Sequence, residues 1–69
     1  MRLIGLDPGL RRTGWGVIEV SGNRLRFVAA GAVSTDGKAA LAIRLVTLHD
    51  GLRAVIEQYA PEEAAVEET

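Results

Sequence analysis

Two acidic residues, sixty positions apart, are the residues of this chain best suited to chemistry. Asp7 closes a short apolar run, Arg2-Leu3-Ile4-Gly5-Leu6, and is followed at once by Pro8-Gly9. Glu67 closes a second apolar run, Ala64-Ala65-Val66. If the two runs are neighbouring parallel strands, their acids emerge side by side, because adjacent strands lie about 4.8 Å apart. Carboxylates that close can share divalent cations. Mg²⁺ takes one or two carboxylates, several waters and substrate phosphate oxygens. Two such ions, about 4 Å apart, activate an attacking water and stabilise the leaving oxygen of a phosphodiester. The C-terminal ends of parallel strands are also where open sheets place their sites.

Each acid has a plainer explanation when taken alone. An Asp before Pro-Gly is ordinary turn chemistry. Glu67 stands near Glu62, Glu63 and Glu68, in a neighbourhood where most acids are solvated. Glu67 is favoured over Glu68 because it directly ends the apolar run, and adjacent strand residues face opposite ways. Arg11 and Arg12 follow Asp7 closely enough to contact a phosphate, although exposed loop arginines are common. Gly14 and Gly16 either admit nucleic acid close to the strand or mark a tight strand entry. His49 is the single histidine and there is no cysteine, so the sequence offers no zinc site of the His/Cys kind.

The elements that must position these groups can be read from periodicity. Arg2 to Asp7 reads as a buried strand. Gly14 to Val20 alternates, with Trp15, Val17 and Glu19 on one face and Gly16, Ile18 and Val20 on the other. Ser21-Gly22-Asn23 signals a tight turn into a third strand from Arg24 to Val33, necessarily antiparallel to the second. In that strand Leu25, Phe27 and Ala29 are expected on one face, with Arg24, Arg26 and Val28 opposite. Ser34-Thr35-Asp36-Gly37 offers helix caps. From Lys38 to Tyr59, Leu41, Leu45, Leu48, Leu52, Val55, Ile56 and Tyr59 recur at three- and four-residue spacing, the pattern of an amphipathic helix about 30 Å long. Lys38, Arg44 and Arg53 are expected on its solvated face. Gly51 within it costs on the order of 1 kcal/mol relative to Ala and marks a bend or a close contact. Pro61 ends the helix, and Ala64 to Glu67 begin a fourth strand. The order is β-β-β-α-β, an α/β arrangement in which the long helix carries the chain back so that the fourth strand lies parallel to the first.

Composition narrows the function classes. Sixty-nine residues permit one small domain, and 48% hydrophobic with 25% charged residues is a globular balance. No apolar run reaches the roughly 18 to 20 residues of a membrane span, and no secretory pattern precedes the first strand, so the reading is cytoplasmic. A net charge of −1 is weak for a free-standing nucleic-acid binder, whose affinity comes from clustered Lys and Arg. Natural α/β sheets seldom leave one face uncovered. Residues 1–69 are therefore expected to be the N-terminal portion of a single larger domain.

Ile4-Gly5-Leu6-Asp7-Pro8-Gly9, then Arg11-Arg12-Thr13-Gly14-Trp15-Gly16-Val17-Ile18, resembles the opening of the RuvC family of Holliday-junction resolvases. Pro61 followed by Ala65-Val66-Glu67-Glu68 is similar to that family's fourth strand and its metal-binding Glu. The resemblance runs the length of the chain, specific at both ends and looser in the middle. It implies an RNase H-like fold and a homodimeric, Mg²⁺-dependent endonuclease, with two ions in a complete site. Such an enzyme resolves four-way DNA junctions by paired symmetric nicks during recombination and repair, alongside the RuvA and RuvB branch-migration proteins. Of the four carboxylates such enzymes use, the resemblance maps two, onto Asp7 and Glu67. It assigns the other two to a later helix not in this sequence. The downstream basic residues and a junction-engaging aromatic are also absent from it.

Three other readings share features with the chain. A YqgF-like RNA-processing nuclease opens with a very similar Asp-Pro-Gly. An actin, Hsp70 or sugar-kinase type ATP-binding domain also ends its first strand in Asp, but usually follows the Gly with Thr or Ser, where this chain has Leu10. A non-catalytic dimerisation module would need only the open β-β-β-α-β unit. Trp15-Gly16-Val17-Ile18 and Val66-Glu67-Glu68 favour the junction resolvase.

Overall fold

The computed structural model describes residues 1–9 and 11–67. Leu10 and Glu68, which figure in the expectations above, lie outside the described residues, as does Thr69. The elements run β1 (Arg2–Asp7), β2 (Arg12–Ser21), β3 (Arg24–Ser34), α1 (Leu41–Tyr59) and β4 (Glu63–Val66), and they form one four-stranded sheet in the order β3-β2-β1-β4. β1 to β3 form an antiparallel meander, and β4 joins the outer edge of β1 in parallel. This is the β-β-β-α-β arrangement expected from the sequence.

The core is small and lies between α1 and the sheet. Ile4 and Val17, paired across β1 and β2, are buried, and Thr13 is buried farther along β2. Trp15 shares their face. It lies over Gly31, where a Cβ would meet its indole at 2.8 Å, and its ring centroid is 5.7 Å from that of Tyr59 at the end of α1. The glycine at position 31 leaves the room that the indole occupies there. Gly51 marks a close contact: a Cβ there would stand 2.6 Å from Val33 Cγ1.

Several local expectations are corrected. β3 carries an extra residue: Val17 pairs with Ala29, but Ile18 pairs with Phe27, leaving Val28 as a bulge. Alternation resets there, so Ala29 joins the helix-covered face while Leu25 and Phe27 stay on the opposite, exposed one. The helix starts at Leu41 with Ala40 as N-cap and no side-chain cap. Asp36, the best capping residue by type, instead accepts from the Lys38 N–H at 2.9 Å and closes a turn. Arg44 is not on the solvated face. It is half-buried in line with Leu48, Gly51, Leu52, Val55 and Tyr59, and its Nε is screened from solvent with no hydrogen-bond partner among the described residues. Leu41, Leu45 and Ile56 lie on the flank of that stripe and are exposed.

Candidate active site

The site is built by register. β1 and β4 pair Leu3 with Glu63, Ile4 with Ala64, Gly5 with Ala65 and Leu6 with Val66. The ladder continues one step further, because the Glu67 N–H donates to the Leu6 carbonyl at 2.9 Å. The next residues in line are Asp7 and Glu67. Both line one open depression of about 380 Å³ on the face of the sheet that α1 does not cover.

The floor of that depression is almost without side chains. Gly16, Gly5 and Ala65 form one row across β2, β1 and β4, and Gly14 pairs with Asp7 in the row above. A Cβ added at Gly5 or Gly16 would meet no atom within 4 Å, so both glycines leave space that any larger residue would fill. At Gly14 the added Cβ would lie 3.9 Å from the Asp7 Cβ, an ordinary contact. Gly14 and Gly16 drew notice in the sequence; Gly5 and Ala65 did not. The signal was available, since each stands two residues before its acid and so shares its face in an extended strand.

The arginines diverge. The Arg11 side chain lies along the β3–α1 connection, its Nε 3.0 Å from where a Gly37 Cβ would be, and its carbonyl accepts from the Thr35 N–H at 2.9 Å. Arg12 is exposed at the start of β2, opposite Ser34, and by alternation shares a face with Gly14 and Gly16. Neither is among the residues lining the depression. His49 is exposed on α1, with Nδ1 3.3 Å from Asp50 Oδ1 and remote from the acids in the fold.

Two carboxylates at one strand end, above a floor that leaves room for waters and a phosphate, fit a hard divalent cation. They do not make a complete protein cage: no group of three or more potential ligands gathers among the described residues. A cation held by these two acids would have to complete its coordination with water or other oxygens.

An antiparallel meander joined through a crossover helix to a parallel strand, with acids at the ends of the adjacent parallel strands β1 and β4, defines the RNase H-like class. Within that class the sequence profile described as "Crossover junction endodeoxyribonuclease RuvC" matches residues 3–69, and the chain belongs to the RuvC family. Proteins of that description from Rhizobium johnstonii, Rhizobium meliloti and Paramagnetospirillum magneticum are 62%, 65% and 64% identical to it over the whole chain. The chain spans 41%, 41% and 42% of their respective lengths. Among solved structures, T. thermophilus RuvC in complex with Holliday junction substrate superposes with a TM-score of 0.88 at 32% identity. That alignment covers 99% of this chain and 42% of that one. A second Thermus thermophilus RuvC structure gives 0.87 at 30% identity, covering 100% and 43%.

Proposed function

We propose that residues 1–69 are the N-terminal portion of a Mg²⁺-dependent endonuclease that resolves Holliday junctions by paired nicks in DNA recombination and repair. The observation that carries this reading is the alignment of Asp7 and Glu67 at one end of adjacent parallel strands, above a floor of glycine and alanine. Family membership and the similarity to a RuvC complexed with junction DNA support the substrate.

In this reading Asp7 and Glu67 would hold Mg²⁺, which would supply positive charge to make a phosphodiester more open to attack by water. Asp7, at the end of the inner strand β1, has its backbone held by pairing with Gly14, which sets the face of the sheet from which its side chain leaves. Glu67 closes the opposite side. The Gly5, Gly16 and Ala65 floor admits the sugar-phosphate strand close to both acids. Arg12, on the same face, is placed to meet a flanking phosphate, whereas Arg11 would first have to leave Gly37. Two further carboxylates belong to the later part of such an enzyme, so a polypeptide of these residues alone should not cleave. A homodimer, partnership with RuvA and RuvB, and a cytoplasmic setting complete the proposal. Among the described residues no helix is long and apolar enough to cross a membrane.

The test is cleavage of a synthetic four-way junction by the full-length protein with Mg²⁺, beside its Asp7→Asn variant. Symmetric paired nicks that vanish in the variant support the reading. Absence of nicking by folded, metal-loaded protein would sink it, and would move the assignment toward the RNA-processing relatives.

A further inference from the structure

The acid pair exists only in one register of β4 against β1, and β4 has little of its own to hold that register. It is four residues long, and Glu63, Ala64, Ala65 and Val66 are all exposed. Register is firmly specified where one face of a strand is buried, and weakly where it is not. A slip of one residue moves the strand by about 3.3 Å and turns Glu67 to the other face.

What fixes the strand lies at its start. Three residues, Ala60 to Glu62, join α1 to β4, so the position of the helix end sets where the strand begins. Arg2 grips that helix end. Its Nη1 donates to the Tyr59 carbonyl at 2.9 Å, and its own carbonyl accepts from the Glu62 N–H at 2.9 Å. Its Nε donates to Glu19 Oε2 at 3.0 Å, which holds the guanidinium across the end of the sheet. The helix ends sharply there. Ala60 adopts φ 46°, ψ 55° and donates its N–H to the Ile56 carbonyl at 2.8 Å, leaving the Tyr59 carbonyl available to Arg2. The ring of Tyr59 is held separately by Trp15.

We propose that Arg2 is a positioning residue for the acid pair: its guanidinium, by holding the Tyr59 carbonyl, sets the register at which β4 meets β1 and so brings Glu67 level with Asp7. The proposal rests on the acid-pair reading above. Arg2 is five residues from Asp7, at the opposite end of β1, and touches nothing in the depression.

Two readouts on the full-length protein test it. The first is register alone: Gly5→Cys with Ala65→Cys, in an otherwise cysteine-free background, places a disulfide across a paired position and bridges quickly only in the native register. The second is Mn²⁺ affinity with positions 5 and 65 unchanged. Arg2→Met should slow bridging several-fold and weaken Mn²⁺ binding about tenfold, the scale seen when a group that orients metal ligands is lost. Arg2→Lys, which can still reach a carbonyl, should restore much of both. Arg53→Met, which removes the exposed 2.9 Å pair with Glu57, should change neither. If Arg2→Met does not fold, Arg2→Gln carries the same comparison with a milder loss. Unchanged bridging in the Arg2 variants, or equal slowing by Arg53→Met, overturns the proposal. Slowed bridging in a protein whose wild type binds no Mn²⁺ would defeat the acid-pair reading and leave the register role standing.

Discussion

Leu6 and Glu67 are joined main chain to main chain, the Glu67 N–H donating to the Leu6 carbonyl at 2.9 Å just past the last paired residues of β1 and β4. That single bond extends the ladder far enough to set a glutamate beside an aspartate. Like charges directly opposite on neighbouring strands repel. On the proposed reading, a cation held between the two acids would relieve that repulsion.

Neutralising either acid should separate stability from function. Asp7→Asn and Glu67→Gln are expected to keep or slightly raise the metal-free Tm, because each removes one of two facing charges. Junction cleavage by the full-length protein should fall by at least ~10²-fold, on the scale of losing one preorganised electrostatic contact to a transition state. Wild type should gain Tm with Mg²⁺ or Mn²⁺ through ligand linkage, and the variants should lose that gain. Thermal melts with and without metal, beside cleavage rates, check all three.

The glycine floor makes a complementary prediction. A Cβ at Gly16 meets nothing, so Gly16→Val should fold and even favour the strand, since β-branched residues suit extended backbone. Its side chain would stand where the substrate strand has to lie. Junction binding measured by fluorescence anisotropy should weaken while the circular dichroism melt holds. Wild-type affinity in Gly16→Val would show that the depression is not the DNA seat.

Much of this was legible in the sequence, for physical reasons that also explain what was not. Asp7 and Glu67 could be paired in advance because apolar runs ending in acids imply strand ends, and a helix between them permits parallel return. The helix end at Tyr59 was legible from Pro61. The bulge was hidden because inserting Val28 leaves the apparent alternation of Leu25, Phe27 and Ala29 intact, and only the partner strand reveals the break. Arg44 was misplaced because residue type outweighed position: at four residues before Leu48 it falls on the inward face whatever its charge. Asp36 could serve as a helix cap or close its own turn, and composition does not choose between them. The role of Arg2 depends on a bond to a residue 57 positions away, which no local pattern carries.

Gly51 offers a test of packing against propensity. Exchanging a helical glycine for alanine should stabilise by about 1 kcal/mol. Here the new methyl would sit 2.6 Å and 3.0 Å from the two γ-carbons of Val33, a stiff β-branched side chain on β3. Overpacking of this kind costs roughly 1 to 3 kcal/mol, so Gly51→Ala should be neutral to destabilising. In a Val33→Ala background the clash is gone, and the same exchange should stabilise. A double-mutant cycle of urea midpoints gives the coupling directly, and simple additivity would remove the contact from the account.

Glu19 sets a pH dependence whose sign can be worked out. Desolvation pushes its carboxyl up, but hydrogen bonds and charge from the N-terminal ammonium at 3.3 Å and Arg2 at 3.0 Å outweigh this, so its pKa falls below the ordinary 4.5. A carboxyl whose folded pKa is lowered binds fewer protons in the folded state than in the unfolded one. Its contribution is therefore complete above the ordinary glutamate range and is lost as the pH falls through the lowered value. Glu19→Gln should flatten this part of the acid limb when urea midpoints are measured between about pH 3 and 6. Because the ion pair is partly open to water, added salt should shrink the difference between wild type and variant. The same acid should loosen the Arg2 grip on Tyr59, since Glu19 orients the guanidinium. Hydrogen exchange at the Glu62 and Glu67 amides should then quicken on acidification more in wild type than in Glu19→Gln, after correction for the intrinsic rate. Parallel stability curves for the two proteins would show that Glu19 takes no part in holding the helix end.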